Sequence, residues 1–446
     1  MLFFSEFPRR CLATDARHPA RTTSLASRSR PLALCSLLLA AGIETAAAAD
    51  IAEPPAVKVA PAAWSDTISL GLQIEAGIAG NPANPSNGRN FGMLYSDYAN
   101  QPMLSQVMVT FQRPLDPSAT GYDFGFLFQM IYGTDARYNH ILGLNDDMLG
   151  GRNQLVPTNL TALAHLPWFT SGGIDVKFGL TPGAMGYEVF DPAVRPFYTF
   201  SYMSNFLVPF QHIGGIATWH VNDTFDLYAG IDAGAQTSFA PNDNNSEPAG
   251  YFGFGLNKLA DGKLNIVALS RLGPEQSVLL VPNANNLMRS WNDVVVTYKQ
   301  DEKVTLGGEA NLMYDYGLAH RTAYGFAGYL AYALNDEATL NVRGELMRDN
   351  TGVLVGNFMN TRDYTNSIRG LPYTFVGAPS PTTYGELTVN VTFKPKIDWA
   401  HYNLPVKTLM FRPEVRIDQA LNGTSPFNNG SSQTALMIGG DIVLGF

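Results

Sequence analysis

Cysteine is almost missing from this chain: its two thiols, Cys11 and Cys35, both fall within the first 49 residues. The rest of the chain can draw no stability from disulfides and offers no thiolate for metal binding or nucleophilic chemistry. Long apolar runs are missing too. Beyond residue 49 the longest stretch without a polar side chain, allowing Tyr and Gly, is Ala323–Leu334, well short of the roughly 20 residues that a membrane-crossing helix needs. Basic side chains are few. The chain holds 29 Lys and Arg against 38 Asp and Glu, and setting aside the six arginines and three acids of residues 1–49 leaves 23 against 35. A nucleic-acid surface would be basic, so that class is excluded. Catalytic and metal patterns are lacking as well. The seven histidines form no HExxH, no GxSxG elbow occurs, and His212 and His220 stand eight residues apart, too far to share a ligand. No enzymatic activity, cofactor or metal is expected.

The first 49 residues are different in kind from the remainder. Arg9, Arg10, Arg17, Arg21, Arg28 and Arg30 make a basic region, Pro31–Ile43 is apolar, and Ala46–Ala49 precede Asp50 as a small-residue cleavage site. That pattern is a secretory signal. Residues 1–49 are therefore expected to be a cleaved signal peptide, residues 50–65 a periplasmic N-terminal segment, and residues 66–446 one large domain, since no Pro/Ser-rich linker interrupts them.

Period-2 alternation, the mark of a strand with one apolar face, recurs along that domain. Ile68, Leu70, Leu72, Ile74, Ala76 and Ile78 alternate with Ser69, Gly71, Gln73, Glu75 and Gly77. Tyr122, Phe124, Phe126, Phe128, Met130 and Tyr132 share a second such face, although Leu127 and Ile131 spoil the polarity opposite them. Sixteen segments of this kind can be counted, ending with Leu436–Phe446. Their connections alternate in length. Short turns such as Val221–Asp223, Gln300–Lys303 and Asn335–Glu337 separate long polar stretches such as Asn81–Pro102, Thr181–Gln211 and Asp349–Thr383.

An even number of alternating strands with short turns on one side and long loops on the other predicts an all-β, antiparallel transmembrane barrel of about 16 strands. A soluble sandwich would also alternate, but nothing requires its loop lengths to alternate by side. In a barrel the apolar faces meet lipid, and closure satisfies every backbone group. Phe446, closing an alternating strand, is the candidate assembly signal.

Outward apolar faces leave the other positions to line the lumen. Glu75, Lys177, Glu309, Arg343, Glu345, Arg412, Glu414, Arg416 and Asp418 are the charged pore-lining candidates, and water is expected around them. Arg412, Glu414, Arg416 and Asp418 alternate in sign two residues apart, which suits a self-neutralising ladder as well as a field that selects ions. Pro413 cannot donate to a ladder, so a bulge is expected there. Thr181–Gln211 is rich in Tyr, Phe and Pro. It suits either an inward fold, with Tyr187, Glu188, Asp191 and Arg195 at a constriction, or an ordered extracellular lid.

Several strings also carry a resemblance. Asn90-Phe91-Gly92, Gly133-Thr134-Asp135-Ala136-Arg137, Gly186-Tyr187-Glu188-Val189, Arg195-Pro196-Phe197-Tyr198, Arg343-Gly344-Glu345 and Arg412 to Asp418 fall in order along one chain. Through nearly the whole length after residue 49, the sequence resembles the OmpL-like β-barrel porins. The resemblance implies a porin of the bacterial outer membrane, in contact with lipid and lipopolysaccharide, inserted by the barrel assembly machinery, and passing small hydrophilic solutes and ions by diffusion. A homotrimer is compatible with it, as is a plugged structural or adhesive barrel that binds a partner through its loops.

Overall fold

The structure is a computed structural model that describes residues 64–446, apart from residues 147, 149, 241, 242, 318, 319 and 403. The signal-peptide region and nearly all of residues 50–65 lie outside the described residues. Trp64–Thr67 forms a single 3-10 turn, and the strands follow as β1 (Ser69–Gly80), β2 (Pro102–Arg113), β3 (Asp123–Gly133), β4 (Gln154–Leu166), β5 (Ile174–Pro182), β6 (Gln211–Asn222), β7 (Phe225–Asp232), β8 (Ala249–Lys258), β9 (Leu264–Pro274), β10 (Met288–Lys299), β11 (Val304–Asp315), β12 (Arg321–Asn335), β13 (Ala338–Asp349), β14 (Gly356–Phe358), β15 (Phe375–Gly377), β16 (Thr382–Phe393), β17 (Thr408–Ala420) and β18 (Thr434–Gly445). All but β14 and β15 join one antiparallel sheet, and β1 pairs with β18 to close it as a 16-stranded barrel. The short ribbon β14–β15 and a helix at Asp363–Arg369 belong to the long connection 350–381.

Alternation decides which way each strand faces. On β1, Leu70, Leu72 and Ile78 are exposed on the outer wall while Glu75 between them is fully buried. Phe111, Phe124, Phe128, Phe178, Phe252, Phe254 and Leu387 continue the outer apolar surface on other strands. So much apolar area facing outward is unfavourable in water and favourable against acyl chains. No helix among the described residues is long and apolar enough to cross a membrane; the strands do it, with their backbone groups paired around the ring. At the short-turn rim, which is periplasmic in such barrels, the Trp168 indole donates to the Tyr122 hydroxyl at 3.0 Å.

Register holds along most seams. It shifts where Glu75 and Ala76 face Gln106 and Leu104, where Gln129 and Met130 face Asn159 and Pro157, and beside two short turns, at His220/Asn222 and Ala333/Asn335. The bulge expected at Pro413 is not there. Pro413 stays opposite Gly440 without a register shift, turns outward, and its seam with β16 simply skips from Glu414 to Phe411. An outward proline on a tilted strand loses its ladder bond but forces no extra residue.

The core lies inside the ring. Of the two inward apolar residues of β3, Ile131 faces protein, packing with Met108, Ala136, Val156 and Phe190, and Leu127 borders a cavity.

Candidate permeation pathway

The 28 residues between β5 and β6 fold into the barrel. Irregular backbone at membrane depth is tolerated only where protein or water satisfies its N–H and C=O groups, and the wall here supplies both kinds of partner. Asp293 on β10 accepts from the Gly186 amide at 2.7 Å, Glu345 on β13 accepts from the Tyr202 and Met203 amides at 2.7 Å each, and Glu414 on β17 accepts from Tyr198 and Thr199 at 2.9 and 3.0 Å. Arginines serve the carbonyls. Arg343 donates to Thr199 O at 2.7 Å, Arg416 to Phe200 O at 2.7 Å, and Arg412 to Arg195 O. Ser201 caps the single helical turn α1 (Tyr202–Phe206) by accepting from the Ser204 amide at 3.0 Å.

Side chains of the inserted segment complete the ion pairs. Arg195 reaches Glu75 at 2.7 Å, and Glu75 stands 3.5 Å from Arg412, which also grips Asp441 of β18. Glu188 and Glu386 both meet the Arg343 guanidinium, Glu386 at 2.9 Å. Asp191 accepts from Gln73 at 2.8 Å. Tyr187 stacks on Tyr329 with ring centroids 4.0 Å apart, and a Cβ on Gly307 would stand 2.5 Å from the Tyr187 ring. Tyr198 covers Gly77 in the same way, at 2.6 Å. Bare glycine backbone on the inner wall therefore gives two aromatic rings their seats.

The charged residues read from the sequence divide accordingly. Glu75, Glu309, Arg343, Glu345, Arg412, Glu414, Arg416 and Asp418 all point inward, yet all are buried. The water expected around them has been displaced by the inserted segment. The alternating series on β17 pairs along its own strand only once, Arg416 to Asp418 at 2.8 Å, because Arg412 turns to Asp441 and Glu414 is occupied by backbone amides. Asp418 also accepts from the Tyr202 hydroxyl at 2.7 Å. Glu309 accepts from Asn311 at 2.8 Å and Tyr329 at 3.0 Å.

The segment docks on β10–β13 and β16–β1, and a cavity of about 550 Å³ remains on the opposite side. Of the nine charged candidates only Lys177 borders it, joined from the inserted segment by Glu188 and Asp191. Neutral polar groups on β2–β4, among them Thr110, Gln112, Gln129 and Asn159, contribute to a wall that is otherwise largely apolar and drawn from the inserted segment and β5–β7. Sequence reasoning passed over them because it followed charge alone. It also missed Arg271, fully buried and bound to Asp232 at 2.6 Å, by ending the ninth strand too early, and missed Asp441 and Glu386 by following only the apolar faces of their strands.

A closed 16-stranded ring with a lipid-facing outer wall and a segment packed into its lumen defines a multi-pass β-barrel of the bacterial outer membrane. Residues 67–446 match the family described as "Putative beta-barrel porin-2, OmpL-like", and the chain belongs to that family. No curated protein matches it. Solved structures similar to it include the high-pH structure of Pseudomonas putida OprB, at 11% identity and a TM-score of 0.49, covering 86% of this chain and 95% of that one. An anion-selective porin from Comamonas acidovorans is similar at 9% identity and a TM-score of 0.49, over 85% and 99% of the two chains. A loop-deletion form of OmpT from Vibrio cholerae is similar at 11% identity and 0.47, over 85% and 99%.

Proposed function

We propose that the protein is a passive diffusion pore for small hydrophilic solutes and ions. The observation that carries this reading is the cavity of about 550 Å³ left beside the inserted segment, where the hydroxyls and amides of Thr110, Gln112, Gln129, Thr158 and Asn159 and the charges of Lys177 and Asp191 interrupt a largely apolar wall. Lys177 and Asp191 would face the passing solute, while Glu188 and the remaining lumen charges hold the inserted segment in place and so set the bore indirectly. Tyr187 and Arg195 would act the same way, as anchors of the constriction. No chemistry is performed on the solute; detergent-solubilised protein is expected to turn over neither phospholipid nor peptide. Lipopolysaccharide contact, delivery by the barrel assembly machinery and a homotrimer belong to the same proposal.

Stepwise conductance of refolded protein in planar bilayers tests it, and a folded barrel that never conducts would refute it. A second reading, a plugged barrel that binds a partner through its loops, draws support from the dehydration of eight lumen charges. Deleting Gly183–Phe210 separates the two. A pore that already conducts grows wider, whereas a plugged barrel begins to conduct only after the deletion.

A further inference from the structure

A second cavity, of about 230 Å³, lies at the long-loop end of the barrel, enclosed by the return limb of the inserted segment, the ends of β10–β12, and the loops at 275–280 and 353–375. Its walls are of two kinds. Trp291, Phe206, Phe358 and Tyr364 give it aromatic surface, and Arg289 and Arg321 bring two guanidinium groups to it. The carboxylates nearby are already committed. Asp315 accepts from Arg289 at 2.7 Å, from Gln276 at 2.8 Å and from the Gly317 amide at 2.8 Å. Glu275 is bound by Arg271 and by the Ala235 amide. Arg321 forms no ion pair among the described residues, and the Nε of Arg289 and of Arg321 is buried without a hydrogen-bond partner.

Asp315 faces Arg321 across the β11–β12 ladder but spends its hydrogen bonds on Arg289, Gln276 and Gly317, and a half-buried guanidinium whose facing carboxylate is so engaged gains from an anion that arrives from outside. Arginine presents a planar fork suited to a carboxylate, and aromatic walls favour a flat apolar body. The volume is below that of an ordinary drug-sized pocket, which limits the occupant to about one ring.

We propose that this vestibule binds a small organic monoanion, a carboxylate carried on a flat apolar body, held by Arg321 with Arg289 and packed against Trp291, Phe358 and Tyr364. The site deepens the pore reading and rests on it for its role, because bound anions would be concentrated at the mouth of the passage.

The test is calorimetric titration of the refolded full barrel in detergent with benzoate, with neutral benzamide of similar shape, and with acetate. Benzoate should bind about tenfold or more tightly than either, since a charge-assisted fork is lost with benzamide and the apolar body with acetate. Arg321→Gln should bring benzoate down to the level of benzamide, and Arg321→Lys should recover only part of the difference. Heat-shifted migration and an unchanged β-sheet circular-dichroism spectrum verify that each variant is folded. Benzoate and benzamide titrating alike, no heat with any probe, or unaltered benzoate affinity in Arg321→Gln would each overturn the proposal. Conductance without benzoate binding sinks only this site; benzoate binding without conductance sinks only the pore.

Discussion

Replacing Arg343 by methionine should loosen the inserted segment without opening the barrel. The guanidinium holds Glu188 on the segment and Glu386 on β16, and it donates to the Thr199 carbonyl at 2.7 Å. All three charged side chains are fully buried. Methionine fills a similar volume but leaves two carboxylates without this partner, and removing one member of a buried ion pair costs about 3–5 kcal/mol. Glu188 recovers its hydration if the segment leaves the wall, so most of that cost falls on docking and not on the strand ladder, whose backbone bonds are untouched. A penalty of that size changes the ratio of docked to undocked segment by roughly two to four powers of ten. In planar bilayers Arg343→Met should show larger and noisier conductance steps, and amide exchange over residues 197–203 should accelerate, while the unboiled protein still migrates apart from its boiled form. Adding Glu188→Gln should restore part of the docking, because one of the stranded charges is then gone. A folded Arg343→Met barrel with unchanged conductance and unchanged exchange would refute the idea that these charges pin the segment.

Four further outcomes are expected. Gly307→Val places a side chain where the Tyr187 ring sits; overpacking costs about 1–3 kcal/mol, and conductance should rise as the ring is displaced. Lys177→Glu exchanges the sign of the one charged wall candidate that borders the larger cavity and should move the reversal potential in a salt gradient toward cations. Asp243, in the connection 233–248, has its carboxyl pushed up to about 6 by burial, against the opposing pull of the Asn244 and Ser246 amides. A raised carboxyl stabilises the docked loop fully below its unfolded value near 4 and loses that contribution as pH rises through about 6, so protease resistance of this loop should fall between those limits and become flat in Asp243→Asn. Finally, the Phe446 amide donates to Leu72 O at 2.8 Å across the closing seam; deleting Phe446 should lower the heat-shifted fraction recovered from membranes, and undiminished recovery would remove its role as an assembly signal.

How much of this was legible beforehand follows from the range of each interaction. The strands were readable because period 2 is a local property: Leu70, Leu72 and Ile78 face outward for reasons contained in a dozen residues. Strand number and the alternation of short and long connections follow from the same pattern, and closure follows from the need of every backbone group at membrane depth for a partner. Tyr, Phe and Pro in Thr181–Gln211 marked that stretch as unusual but left its direction open.

The partners of the inward charges are a matter of tertiary structure alone. Arg195 meets Glu75 across 120 residues, Arg343 meets Glu188 across 155, and Glu414 meets the Thr199 amide across 215. No spacing rule reaches so far, and two-apart pairing on β17 survives at Arg416 and Asp418 but gives way at Arg412 and Glu414, where Asp441 and the inserted segment's amides offer more hydrogen bonds. The sequence by itself determined which side of each strand meets lipid, since burial in a bilayer selects on every second residue. Only the assembled ring decided that the polar side would face protein over half the lumen and a hollow over the rest, because that depends on where one long connection comes to lie.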